Sequence, residues 1–213
     1  MTMMTINNIV AIMIVGLFFS LPGHGQSQEQ TIDTRVKAYL ESKKGTWRNW
    51  NIPYEDGQVL YDLIVENNYK RALEIGTSTG HSSIWMAWAL SKTGGKLITI
   101  EIDEVRHREA LEAFREVGLS EIIDARLGDA HDMVSKLEGP FDFVFSDADK
   151  GWYKQYFIDV DPKLAAGGGF TAHNVSNPYG GIKEFLDYVQ SLDTYSTFVD
   201  KSSRAGISIS YKK

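Results

Sequence analysis

Along most of this chain, short apolar runs of strand length alternate with segments of helical period. The runs are Arg71 to Ile75, Lys96 to Ile100, Ile122 to Leu127, Phe141 to Ser146 and Phe170 to His173. Between and after them lie Ser82 to Leu90, Glu104 to Val117, Ala130 to Leu137, Trp152 to Val160 and Ile182 to Gln190, which read as helices. Strands joined by a helix-length crossover pair in parallel, and the crossover is right-handed. The alternation therefore predicts a doubly wound, mostly parallel α/β sheet with helices on both faces. Two earlier helical segments, Thr31 to Ser42 and Glu55 to Asn67, are expected to cover the sheet, the second through Val59, Leu60, Leu63 and Ile64 on one face. Tyr195 to Asp200 and Gly206 to Tyr211 flank Lys201-Ser202-Ser203-Arg204 and read as a closing antiparallel hairpin. Ligands of such sheets bind beyond the carboxyl ends of the strands, which is where candidate site residues are sought.

The N-terminal stretch differs in character. Met1 to Gly25 holds no Asp, Glu, Lys or Arg and is apolar from Ile9 through Leu21, short of the roughly 20 apolar residues that a bilayer span requires. Gly23-His24-Gly25 places small residues where a signal peptidase reads. Residues 1–25 are thus expected to be a secretory signal cut before Gln26, although Lys or Arg, usual ahead of the apolar run, is missing. The expected product is periplasmic or secreted, with residues 26–213 as a single domain under an N-terminal helical cover and no stable membrane span; with the start or signal misassigned it is cytoplasmic. With 22 Lys+Arg against 28 Asp+Glu, a net charge of −6 gives no broad cationic face for nucleic acid. The absence of cysteine excludes disulfides, thiolate metal sites, a cysteine nucleophile and a lipoprotein anchor.

Three strand ends carry candidate chemistry. Leu73-Glu74-Ile75-Gly76-Thr77-Ser78-Thr79-Gly80-His81-Ser82 is a strand that stops in a glycine turn and restarts as a helix, a construction that lets a ligand approach the backbone closely. Its Gly-xxx-Gly spacing fails the dinucleotide fingerprint, which makes a nicotinamide-dependent oxidoreductase a minor reading; a tight turn without ligand is the plain alternative. Glu101 ends the next strand, where a ribose diol would lie and a carboxylate accepts two hydroxyl hydrogen bonds. Asp103 beside it reads as the cap of the following helix. Asp129, in Leu127-Gly128-Asp129-Ala130, either reaches an adenine amino group or caps its helix.

Glu74-Ile75-Gly76 with Gly80, the acid at Glu101, Asp147-Ala148-Asp149-Lys150 and His173-Asn174 together resemble the class I S-adenosylmethionine-dependent O-methyltransferases of the caffeoyl-CoA and catechol type, over about Glu55 to Tyr211 and including Gly57-Gln58. The resemblance implies a Rossmann-like seven-stranded sheet with an antiparallel last strand, S-adenosylmethionine as cofactor, a small aromatic acceptor and a homodimer. It implies that Glu74, Gly76 and Ser82 meet the methionine part of the cofactor, Glu101 the ribose and Ala130 the adenine region. Asp147 matches a metal-binding aspartate at the edge of the cofactor, Asp149 a residue beside the cofactor, and Lys150 a general base. His173-Asn174 stands where the family carries Asp-Asn, both of them contributing to the metal site.

Methyl transfer from a sulfonium is an in-line displacement, so an acceptor oxygen must lose its proton and be held close to the methyl carbon. A metal chelating two adjacent oxygens does both, and positive charge nearby favours a neutral lysine at Lys150; a solvated lysine is the bland alternative. His173 removes one negative charge and one hard donor from that site. Imidazole suits manganese or zinc better than magnesium. Three outcomes stand open: a retained metal of changed preference, metal-free catalysis with His173 as base, and an inert site. His81 and His131, at helix starts, show no ligand spacing. Trp47, Trp50, Tyr54, Trp152, Tyr153 and Tyr179 are candidates for an aromatic acceptor slot, with core packing as the alternative for each, and Ser176 to Gly181 reads as a gating rim. The rival to an enzyme is an exported, degenerate binding protein of the same fold.

Overall fold

The computed structural model describes residues 24–46 and 50–213. The expected signal falls outside these residues except for His24 and Gly25, and Trp47 falls outside them as well. Two helices, α1 (His24–Lys43) and α2 (Tyr54–Glu66), precede a sheet of seven strands: β1 (Arg71–Ile75), β2 (Lys96–Glu101), β3 (Ile123–Leu127), β4 (Phe141–Ser146), β5 (Leu164–His173), β6 (Tyr195–Asp200) and β7 (Ile207–Lys212). Helices α3 (His81–Thr93), α4 (Glu104–Val117), α5 (Ala130–Met133), α6 (Tyr153–Val160) and α7 (Gly180–Gln190) make the crossovers. The strand order is β3-β2-β1-β4-β5-β7-β6. Five strands pair in parallel, and β7 runs antiparallel to both β5 and β6, as the terminal hairpin predicted. Among the described residues no helix is long and apolar enough to cross a membrane.

Period-two alternation along the central strands builds two cores. In β4, Phe143 and Phe145 join Ala72, Trp85, Trp88 and Phe114 on the face covered by α1 to α4, whereas Phe141 and Val144 join Leu73, Phe157, Phe170 and Phe185 on the other. Helix α3 is buried at every position from His81 through Leu90, as a helix sandwiched between α2 and the sheet must be. Helix α7 buries Ile182, Phe185, Leu186 and Val189, one face at helical spacing.

Two boundaries depart from the sequence reading. Strand β5 begins at Leu164 rather than Phe170, because Gly167-Gly168-Gly169, which has no side chains to show a strand period, is carried in the strand with a register shift opposite Phe141 and Phe143. Helix α5 stops at Met133, and Val134–Lys136 tightens into a 3-10 turn before Leu137. The sheet order reverses between β1 and β4, which opens a crevice at the carboxyl ends of β1, β2 and β4.

Candidate active site

The crevice is a cleft of about 800 Å³, a volume in the usual range for a small-molecule site. Its floor is the turn after β1. Gly76, at φ +100°, accepts a left-handed backbone, and a Cβ there would lie 2.8 Å from the Asp147 carbonyl oxygen, so glycine lets the ends of β1 and β4 meet. Gly80, at φ +94°, begins α3, where a Cβ would strike the Phe114 ring at 2.6 Å. Gly76 N–H and Thr77 N–H donate to the Ile100 carbonyl, and Asp147 N–H donates to that of Ile75, fixing the three strand ends together.

Glu101 is the organising acid of one wall. Its Oε2 accepts from Ser78 N–H at 2.7 Å, while Oε1 accepts from Asp103 N–H at 2.9 Å and faces the Arg106 guanidinium at 3.3 Å. The same carboxylate that would take a diol therefore also pins the glycine turn. Asp103 caps α4 through Arg106 N–H, and Asp129 caps α5 through His131 N–H, both at 2.9 Å. Asp129 thus acts as the cap, and it lines the cleft as well.

Ala130, Asp149, Lys150 and Asn174 also border the cleft, whereas Glu74, Gly80, Ser82 and His173 lie outside its lining. Glu74 is fully buried beneath the turn, where Oε2 accepts from the Thr99 hydroxyl at 2.5 Å and from Ser83, and Oε1 has no partner. Burial pushes its carboxyl up to about 7, against hydrogen bonds from Ser82, Ser83 and Thr99 that favour the anion.

Opposite Glu101, the Asp147 carboxylate joins three groups. Its Oδ1 pairs with Lys150 Nζ and lies 3.4 Å from the Tyr153 hydroxyl, and its Oδ2 accepts from His173 Nδ1 at 3.0 Å. His173 Nε2 in turn reaches Asp56 Oδ2 at 2.8 Å, which also accepts from the Ser203 hydroxyl at 2.8 Å. Burial alone would push the His173 imidazole down, but hydrogen bonds and charge from Asp147 and Asp56 carry it up to about 9. Burial works to raise Asp147 too, and is outweighed by His173 and Lys150, which hold it below the usual carboxylate value. With both ring nitrogens facing carboxylate oxygens, His173 is placed as a donor and turns no lone pair toward the cleft with which to act as general base.

The expected metal set does not fit either. Both His173 nitrogens are engaged, both Asp147 oxygens are taken, and Asn174 is exposed at φ +62° beyond the strand. Among the described residues no His, Asp and Glu side chains are grouped to hold a metal ion. No step is routed through one.

Two residues gain a place at the site that the sequence did not give them: Asp56, which it left unmarked, and His131, which it set aside. Asp56, in the first turn of α2, is fully buried and adjoins Gly57-Gln58; an acid ahead of the helix's apolar face was the available signal. His131 lies in the cleft wall, its ring stacked on Trp152 at 3.9 Å with Nε2 3.2 Å from Asp149. His81 is internal: Nδ1–H donates to the Ile52 carbonyl at 2.9 Å and Nε2 accepts from the Trp85 indole at 3.1 Å. With Asn51 donating to Thr79 at 2.7 Å, this ties the Trp50 rim to the glycine turn. Of the other candidate aromatics, Trp50 and Tyr179 line the cleft, while Tyr54 stacks edge-on against Trp85 and Tyr153 against Phe185 in the cores.

Burial lowers the His81 imidazole to about 4. In the unfolded chain it titrates near 6.5, so this residue's contribution to stability is whole above pH 6.5 and is lost as pH falls toward 4, by about 3 kcal/mol. NMR titration should find it neutral down to pH 4, and a His81→Gln variant should lack that part of the acid loss in urea unfolding. An imidazole titrating near 6.5 in the folded protein would remove the assignment.

A seven-stranded sheet with one antiparallel strand, and a cleft joining a glycine turn, a strand-end acid and an Asp-Lys pair, define the class I methyltransferase type. Matches to known proteins narrow the class. The O-methyltransferase family profile matches residues 27–182, and the chain belongs to that family. It is 44% identical over 92 residues to a catechol O-methyltransferase of Niastella koreensis, a match covering 41% of each protein. To a caffeoyl-CoA O-methyltransferase of Populus kitakamiensis it is 28% identical over 171 residues, covering 78% of this chain and 70% of that one. The O-methyltransferase of Bacillus cereus, solved in complex with SAH, superposes with a TM-score of 0.70 at 23% identity, over 92% of this chain and 94% of that one.

Proposed function

We propose that the chain transfers a methyl group from S-adenosylmethionine to a hydroxyl of a small phenol- or catechol-like acceptor. The observation that carries this reading is the placement of Glu101 and the glycine turn on one side of a single cleft and the Asp147–Lys150 pair on the other. The likeness to the Niastella catechol O-methyltransferase and the Populus caffeoyl-CoA O-methyltransferase supports a phenolic hydroxyl as acceptor. The chain's own residues suit the cofactor: Glu101, in the cleft wall, offers an acceptor for a diol. S-adenosylmethionine supplies an electrophilic methyl, whose transfer breaks the carbon–sulfur bond and leaves a thioether. Lys150, an ammonium against Asp147 before the cofactor binds, gives that proton to solvent as the cofactor's sulfonium arrives; its neutral Nζ then takes the acceptor's hydroxyl proton, and Asp147 holds the ammonium so restored. Trp50 and Tyr179, 86% and 76% exposed at the mouth, offer faces for an aromatic ring.

The test is transfer of labelled methyl to a panel of catechols and phenols. Product methylated on a ring oxygen is expected; cofactor binding with no transfer to any member would favour a binding protein. Glu101→Ala is expected to weaken cofactor binding roughly 10- to 100-fold, the cost of losing hydrogen bonds to a charged group. Equal affinities by calorimetry would remove the ribose assignment. Export and a homodimer stand beside this reading as proposals, open to mass determination of the native N-terminus and to light scattering.

A further inference from the structure

We propose that His173 is itself the resident cation of this site, its ring clamped between the Asp56 and Asp147 carboxylates, and that the site takes no divalent metal. Each ring nitrogen faces a carboxylate oxygen, at 2.8 Å to Asp56 and 3.0 Å to Asp147. A carboxylate brings no hydrogen to such a bond, so both nitrogens donate and neither retains a lone pair for coordination. The three side chains are at most 9% exposed, so without the ring the buried Asp56 carboxylate of α2 would face no opposite charge and Asp147, after β4, would keep only Lys150. Lys150 completes the set: two carboxylates and two cations balance. A divalent ion added here would meet an imidazolium and an ammonium across a few ångströms of low-dielectric interior, where like charges repel strongly.

The ring is a positioning group. It touches the cleft only through Asp147, whose Oδ2 it holds while Oδ1 is turned to Lys150. Methyl transfer is then independent of divalent metal, a consequence that rests on the function proposed above; the exclusion of metal does not.

Mn2+ alone is the probe, read by the loss of its free-ion paramagnetic resonance signal with the full chain and without cofactor or acceptor. Wild type is expected to leave the signal unchanged through the millimolar range. His173→Asp, which brings a third carboxylate to Asp56 and Asp147, is expected to bind one Mn2+ at least roughly tenfold more tightly than wild type. Wild-type binding of one equivalent that Asp147→Asn abolishes would overturn the proposal, and so would a folded His173→Asp that binds no better than wild type. If circular dichroism finds His173→Asp unfolded, the wild-type and Asp147→Asn titrations decide alone. In the methyl-transfer assay, turnover is expected to be unchanged by a chelator; a loss restored by Mn2+ overturns the proposal. An absence of any turnover would strike the function and leave the metal titration standing.

Discussion

Lys150→Ala is expected to lower methyl-transfer turnover by roughly 10²- to 10⁴-fold, the span for loss of a positioned proton acceptor, while cofactor affinity changes by less than about threefold. The expectation follows from where the amine sits. Lys150 opens the short 3-10 turn after β4 that Asp149 caps through Gly151 N–H at 2.8 Å. Its Nζ lies 5.4 Å from the centre of the Tyr153 ring and is held by Asp147 at the cleft wall. An amine held between a ring face and a carboxylate takes a proton from the cleft side. Lys150→Arg separates charge from proton transfer: guanidinium keeps the ion pair but does not give up its proton near neutrality. Arginine is therefore expected to leave turnover close to that of alanine. Turnover of Lys150→Ala within threefold of wild type would remove the base assignment, and rescue by arginine would make the residue an electrostatic contributor.

The largest expected loss of stability belongs to Asp56→Ala, at about 3–5 kcal/mol in urea unfolding, the cost of leaving a buried charge without its partner. The carboxylate is fully buried and joins His173 to the Ser203 hydroxyl, so its removal strands the ring's Nε2–H and a hydroxyl together. Asp56→Asn preserves shape and one acceptor oxygen and is expected to lose clearly less. The two variants therefore measure charge and hydrogen bonding separately. A loss below about 1 kcal/mol in Asp56→Ala would mean that water replaces the carboxylate and that the network contributes little.

Strands bounded by turn signals, such as Lys96 to Ile100 and Phe141 to Ser146, were legible because they are dense in apolar residues that are buried on both faces. The start of β5 was not, since Gly167 to Gly169 offer no side chain from which to read a period. Single-strand chemistry was legible in the same way: Gly76, Glu101, Asp147 and Lys150 each end a strand or begin the next turn. Partnership across the fold was not. Nothing local to His173 announces Asp56, which is 117 residues away in sequence, and without that second carboxylate a histidine in an aspartate's position reads as a ligand or a base. His131 was hidden likewise, because the Trp152 ring that gives it a place arrives on another element.

The distance between Asp56 and its partners has a consequence for synthesis. Asp56 and Ser203 are 147 residues apart, and Ser203 lies in the connection between β6 and β7. The glycine turn, Glu101 and Lys150 leave the ribosome well before that connection. A growing chain thus holds the parts of a cofactor cleft long before the hydroxyl that closes the charged cluster has been made. Contacts of such sequence separation form late and slowly. Full ordering of α2 against the strand ends must wait for the connection between β6 and β7, so the nascent protein passes through a stage in which the cleft has its floor and Lys150, but the Asp56 end of the charged cluster is not yet closed.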